Sequence, residues 1–488
     1  MNDSNRQDGQ PNILMFLPDA MQGAVVESGH DCMTPNIDRI AARGVRFTRA
    51  HTMLPTCSPA RASLMTGLLP HNHGVLQVEH CVDDDQCVLR TQHPHWAQRL
   101  SDAGYATGYF GKWHLERTNE LNQFGWQVNG CSKAAAFRKL GVGISTTEEL
   151  IQPHNLVRYE QGPEGYNDIL HYGVTDVPTD RRTFAATTRD AQQFIADRID
   201  GDAPWACVVS FPEPNAPLIA GRETFEQYDV DAIRLPANLH DPLDNSPGLY
   251  RRYKRVMGDM TDRQWRELRA VFYALTTELD AQLGKLIDQL EAAGKLDNTI
   301  VIVLSDHGRY VGGHGFDAHN FGGFEEAYHV PLVMSGPGVA VSAESNALVS
   351  IADLCPTIIE LCGGAPIPSI DSRSFAQVLR DPRGTSASFD TCYAENHGTR
   401  LLLTQRVLWH GDWKFVFNGF DEDELYNLAD DPHELCNLTS VPSQQQRIAD
   451  MMALVWQYIE RSGDTTLAET HYSAMRMAIV GPNAAARP

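Results

Sequence analysis

The sequence predicts an α/β protein with one large, mostly parallel sheet sandwiched by helices, followed by a smaller C-terminal α+β unit with an antiparallel sheet. Three observations predict it. Asn12 to Leu17 is a continuous apolar run stopped by Pro18-Asp19, as in a strand buried on both faces. Asn298 to Leu304 is a second such run, β-branched and apolar, ending in Ser305-Asp306-His307-Gly308. Residues 400–418 instead alternate apolar and polar around Trp409 and Trp413, as antiparallel strands do.

The elements follow in order. Asp19 lies just past the carboxyl end of the first strand, the edge where α/β sheets gather ligands. Ala206 to Phe211 reads as another strand, running into the proline-rich turn Pro212 to Pro217. Thr261-Asp262 caps a long helix whose apolar residues recur at helical spacing from Leu268 to Leu286 until Gly294 stops it. Val330 to Met334 is one more strand, and a closing helix spans about Ser443 to Ile459. The segment 128–200 shows only one clear helix, near Thr187 to Arg198, and otherwise reads as surface loop or a substrate-specific insertion. The change of pattern after Asp381 divides the chain into a catalytic unit, 1–385, and a C-terminal unit, 386–488.

Length and charge exclude several classes. With 488 residues the chain is too long for a peptide hormone or a lone binding module. Its 40 basic against 62 acidic side chains give a formal charge of −22, which repels nucleic acid and anionic membranes, so no such partner is expected. The ten cysteines follow no regular framework and read as reduced thiols. The polar start and the shortness of the first apolar run read as cytoplasmic, with a processed secretory form, its leader already removed, as the alternative.

The most informative segment is Cys57-Ser-Pro59-Ala-Arg61-Ala-Ser-Leu-Met-Thr-Gly67. It resembles the signature of the formylglycine-dependent sulfatases, within the alkaline-phosphatase superfamily. Five further stretches are similar to that family's landmarks in the same order: Thr34 to Phe47, Gly108 to Leu115, Ser305 to Gly308, Ile351 to Thr357 and Glu424 to Pro432.

The resemblance implies that a maturation enzyme oxidises Cys57 to formylglycine, whose hydrate attacks sulfur or phosphorus. It implies one divalent ion, Ca2+ or Mn2+, on Asp19, Cys57, Asp306 and His307, because coordination lowers the pKa of a bound hydroxyl. Arg61, four residues beyond Cys57 on the same helical face, would hold the hydrate. Lys112 and His114, alternate residues on a strand-like segment, would point together toward the transferred group and the leaving oxygen. Asn72 is a further candidate contact to the transferred group.

Three positions depart from the family pattern. Ala20 stands where an acid or amide usually follows the first metal Asp, so the ligand set resembles the choline-sulfatase and phosphonate monoester hydrolase branch. Asn215 replaces an imidazole, and the lysine usual after the Asp-His-Gly turn is missing, leaving His319 or Asn320 nearest. A pocket whose cations are the metal, Arg61 and Lys112 suits a monoanion. Hydrolysis of sulfate monoesters is the leading expectation. A phosphonate monoester or phosphodiester hydrolase is the alternative, and a non-catalytic anion binder a third. Large enzymes of this kind are often symmetric oligomers, so a homo-oligomer is one option, but one chain's sequence does not fix the oligomeric state.

Overall fold

The computed structural model describes residues 10–486 apart from 84–88, 91–92, 119, 132–146, 153, 259, 318–321, 369–370, 400–401, 469–471 and 474–475. Its centre is an eight-stranded sheet in the order Ala343–Ser345, Gly44–Phe47, Leu332–Ser335, Thr299–Leu304, Asn12–Leu17, Trp205–Ser210, Ala106–Gly111, Val128–Cys131. Only the Leu332–Ser335 strand runs antiparallel to both neighbours. The first strand is central, with Phe16 opposite Val303 on one side and Val209 on the other.

Every side chain of the Asn12–Leu17 strand is buried, which explains its unbroken apolar sequence. Ile13, Met15 and Leu17 face a core shared with Ala60, Leu64, Trp96 and Ile358, from helices Cys57–Thr66, Trp96–Asp102 and Leu354–Leu361. Leu14 and Phe16 face the opposite core, with Ile37, Phe194, Leu268, Leu275 and Leu279 from helices Pro35–Ala41, Thr183–Ala196 and Asp262–Ala292. The longest of these helices begins as the sequence predicts. Thr261 and Gln264 form a reciprocal capping box, and Gly294, at φ 65°, turns the chain out of it.

The described residues of the segment 128–200 hold more regular structure than their composition suggests. Val128–Cys131 forms the edge of the main sheet, and Ile169–Thr175 is the middle strand of a separate three-stranded sheet, antiparallel to Val157–Glu160 on one side and parallel to Leu218–Gly221 on the other. A register shift between Arg158 and Tyr159 breaks the alternation that would have announced a strand.

The antiparallel strands Thr391–Asn396, Gln405–His410, Trp413–Asn418 and Glu424–Asn427 form a meander. One face packs Leu408, Phe415 and Leu425 on Met452 and Val455 of helix Gln445–Ser462. The other packs Val407, Trp409 and Val416 on Tyr310, Phe316 and Phe324, the chain that leaves the Asp306-His307 turn. The small sheet thereby buttresses the functional edge of the large one. Among the described residues, no helix is long and apolar enough to cross a membrane.

Candidate active site

The two central strands end side by side, and their carboxyl ends deliver Asp19 and Asp306. Backbone and side chain lock the two exits together. The Ser305 hydroxyl accepts from Met21 N–H at 2.9 Å and donates to the His307 carbonyl at 2.9 Å. Ala20, wholly buried at φ 63°, donates its N–H to Asp306 Oδ1 at 3.2 Å. The position where the family pattern carries an acid or amide side chain thus contributes through its backbone.

Cys57 opens a ten-residue helix whose every residue is buried, placing its Sγ 3.2 Å from His307 Nε2 and 3.6 Å from Asp19 Oδ1. Asp19, Cys57, Asp306 and His307 each offer a donor atom, and the four lie within 4.8 Å of one another. His307 Nδ1 contacts its neighbour's carbonyl, Gly308 O, at 2.8 Å, which turns Nε2 toward the cluster. These residues fit a divalent cation. Burial alone would lower the His307 pKa, but Asp306, Cys57 and Asp19 outweigh it and raise it to about 10. The cluster draws a proton to the place where a metal ion would supply the positive charge.

Arg61, one turn beyond Cys57, is fully buried. Its Nε donates to Asp306 Oδ2 at 2.7 Å, and Nη1 to Ser210 Oγ at 2.7 Å and the Lys112 carbonyl at 3.0 Å. Nη2 lies 3.5 Å from Asp19 Oδ2. The guanidinium therefore ties both carboxylates to the sheet edge. The Lys112 ammonium pairs with Asp19. Burial pushes the Asp19 pKa up, yet Lys112, His307 and Arg61 together hold it far below the usual carboxylate range.

Lys112 and His114 do not leave from a strand. Strand Ala106–Gly111 ends at Gly111, φ 90°, and His114 has φ 56°, so backbone turns rather than alternation set their directions. His114 Nε2 lies 3.1 Å from His80 Nδ1 and 3.8 Å from Glu79 Oε1. Burial, then Lys112, pushes its pKa down to about 2.

Asn215 joins the cluster. Its Nδ2 donates to Asp19 Oδ1 at 2.7 Å and approaches Cys57 Sγ at 3.8 Å. Asn72 is not brought there. A ten-residue helix rises about 15 Å, and Asn72 lies beyond the end remote from Cys57, donating to Asp371 at 3.0 Å and to the Ser462 carbonyl at 2.9 Å. His319 and Asn320 lie outside the described residues.

Sequence reasoning missed Arg309. It is buried, held by Asp317 through Nε at 2.8 Å and Nη2 at 2.7 Å, and Nη1 donates to Asn215 Oδ1 at 3.3 Å. His171 closes the chain with Nε2 2.7 Å from Asp317 Oδ2. A basic residue directly after the Asp-His-Gly turn was the available signal.

Carboxylates at adjacent strand ends, a potential nucleophile at a buried helix start and two cations beside them suit a class of hydrolases that act on anionic esters. Residues 11–364 match the Sulfatase family model, and residues 312–461 match that of the N-sulphoglucosamine sulphohydrolase C-terminal region. The chain belongs to the sulfatase family, the enzymes that hydrolyse sulfuric esters. The choline-sulfatase of Rhizobium meliloti is 28% identical over 451 residues, covering 89% of this chain and 83% of its own. Arylsulfatase K of Mus musculus is 25% identical, covering 88% and 76%. Among solved structures, the phosphonate monoester hydrolase of Agrobacterium radiobacter superposes with a TM-score of 0.74 at 22% identity, covering 93% and 96%. A protein solved in complex with its substrate D-glucosamine-2-N,6-O-disulfate gives 0.72 at 20% identity, covering 93% and 98%. These likenesses carry the fold.

Proposed function

We propose that the chain cleaves sulfate monoesters with a nucleophile derived from Cys57 by conversion to formylglycine, and that Asp19, Asp306, His307 and residue 57 hold one divalent ion, Ca2+ or Mn2+. The observation that carries this reading is the buried four-donor cluster within 4.8 Å, flanked by Arg61 and Lys112. The mixed oxygen and nitrogen donors make manganese a candidate beside calcium. When bound, such an ion would make a coordinated hydroxyl acidic and offset the ester's charge.

The chain's own residues do the positioning. Arg61 fixes both carboxylates at the start of the Cys57 helix, and Asn215 orients Asp19. Lys112 is the cation available to the oxygens of the transferred group. His114 enters as a neutral imidazole, and the negative charge of a bound ester would draw a proton onto it for the leaving oxygen. His319 and Asn320 remain proposed contacts to the transferred group. Residues 1–385 form the catalytic unit and 386–488 its support in this reading.

Hydrolysis of phosphonate monoesters or phosphodiesters is a second reading, favoured by one observation. The cation behind Asn215, Arg309, is already paired with Asp317, so the pocket gains no net charge there and suits a monoanion of either element. The test is mass spectrometry of the Cys57 peptide after co-expression with a formylglycine-generating enzyme. A thiol left intact would sink the mechanism. Comparing aryl sulfate, aryl phosphodiester and aryl phosphonate turnover under Ca2+ and Mn2+ separates the two readings.

A further inference from the structure

A second group of ligating side chains stands beside the first. The turn Glu79–Cys81 sets Glu79 and His80 against His114, so that Glu79, His80 and His114 each present a donor atom within 4.8 Å of the others. His80 Nδ1 is 3.1 Å from His114 Nε2, and Glu79 Oε1 is 3.8 Å from the same nitrogen. Two ring nitrogens in contact share at most one proton between them, and a metal ion can take that proton's place.

The group is held from behind and reaches the surface at His80. Glu79 is buried, its N–H donating to Ser58 Oγ at 3.2 Å, and Arg117 Nε lies 3.5 Å from Oε2, whereas the contact to His114 is through Oε1. His114 is fixed in a left-handed backbone conformation that non-glycine residues seldom adopt. His80 is exposed. Its ring can shift by the few tenths of an ångström that coordination requires.

Donor chemistry selects the ion. Zinc bonds to nitrogen at about 2.0–2.1 Å and to carboxylate oxygen at about 2.0–2.2 Å, which in a tetrahedron separates donors by roughly 3.4 Å. The observed 3.1 and 3.8 Å bracket that value. Two imidazoles and one carboxylate favour zinc over calcium, whereas the neighbouring cluster, with two carboxylates and a hydroxyl-bearing residue 57, suits a harder ion. We propose that Glu79, His80 and His114 form a second, zinc-binding site. Occupancy withdraws His114 Nε2 from the reacting group, so zinc inhibits turnover. This inhibitory consequence rests on the catalytic role proposed for His114, whereas the binding rests on the donor geometry alone.

The experiment titrates the full-length protein, with its activating ion bound, against Zn2+ by calorimetry and against Co2+ by visible ligand-field absorption. The expected result is one more zinc equivalent per chain than in His80→Ala or Glu79→Gln, with tetrahedral cobalt bands present only in the unsubstituted protein. Equal zinc stoichiometry in all three proteins overturns the site. Because His80 is exposed, its variant should unfold at the unsubstituted protein's urea midpoint, which keeps the comparison interpretable. A protein that lacks turnover altogether counts against the proposed function and leaves the isotherms to decide the site. If zinc binds and turnover is unaffected, the inhibitory consequence is overturned while the site stands.

Discussion

Arg309 Nη1 donates to Asn215 Oδ1 across 3.3 Å, while the other face of that amide donates to Asp19 Oδ1 at 2.7 Å. Asn215 is therefore a neutral bridge between a buried guanidinium and a carboxylate of the cluster. A hydrogen bond to a charged group is worth about 1.5–3 kcal/mol. Asn215→Ala should lower kcat/KM by roughly 10- to 100-fold, with apparent affinity for the activating ion falling as well, which steady-state kinetics across an ion titration would read.

Among the described residues the nearest polar contacts of the Cys57 sulfur are His307 Nε2 at 3.2 Å and Asp19 Oδ1 at 3.6 Å. Cys57→Ala is expected to abolish turnover while costing about 1 kcal/mol of stability. Activity assays paired with urea unfolding check both halves, and residual turnover at the unsubstituted rate would place the nucleophile elsewhere.

Replacing Arg61 by Met leaves Asp19 and Asp306 facing one another without the buried cation between them. Breaking a buried ion pair from one side costs about 3–5 kcal/mol. A divalent ion at 100 times its dissociation constant should return about 2.7 kcal/mol. Without the guanidinium's repulsion the carboxylates should hold the ion more tightly, so at one fixed ion concentration urea midpoints measured with the ion and with a chelator should differ more in Arg61→Met than in the unsubstituted chain.

His95 supplies a pH prediction. It is buried among Phe124 and Trp113, with ring centroids at 4.6 and 6.4 Å, and neither ring nitrogen has a hydrogen-bond partner among the described residues. Burial pushes its pKa down to about 3 from 6.5. The folded state keeps the ring neutral while the unfolded chain takes up a proton below pH about 6.5, so stability falls as pH drops from there toward about 3. One such group contributes about 1.4 kcal/mol per pH unit. His95→Phe keeps the stacked ring and should flatten that acid limb, visible in urea unfolding across the pH range; an unchanged slope would assign the acid loss to other groups.

Much of the site was legible because its parts sit where periodicity ends. Asp19 and Asp306 follow unbroken apolar runs, and such runs are buried strands whose carboxyl ends meet. Cys57 and Arg61 are one helical turn apart, and that spacing survives folding. Lys112 and His114 were misread as strand residues because Gly111, at φ 90°, ends the strand one residue before Lys112. Asn72 looked like a site residue in sequence, but the intervening helix carries it to the far end of the Cys57 element. Arg309 escaped notice because its partner Asp317 is eight residues on, beyond a turn through Val311 and His314 at φ 47° and 52°. No local pattern encodes that return.

The burial of the whole Cys57–Thr66 helix also orders events in time. A second protein has no purchase on a side chain 5% exposed, inside a helix with no free face. Any enzyme that rewrites Cys57 must therefore meet this stretch as extended chain, before the central sheet closes over it. On the proposed conversion of Cys57, maturation would compete with folding. In that reading a chain that folds first would stay a thiol, native in shape yet without its nucleophile, and the active fraction of a preparation would record a race and not an equilibrium.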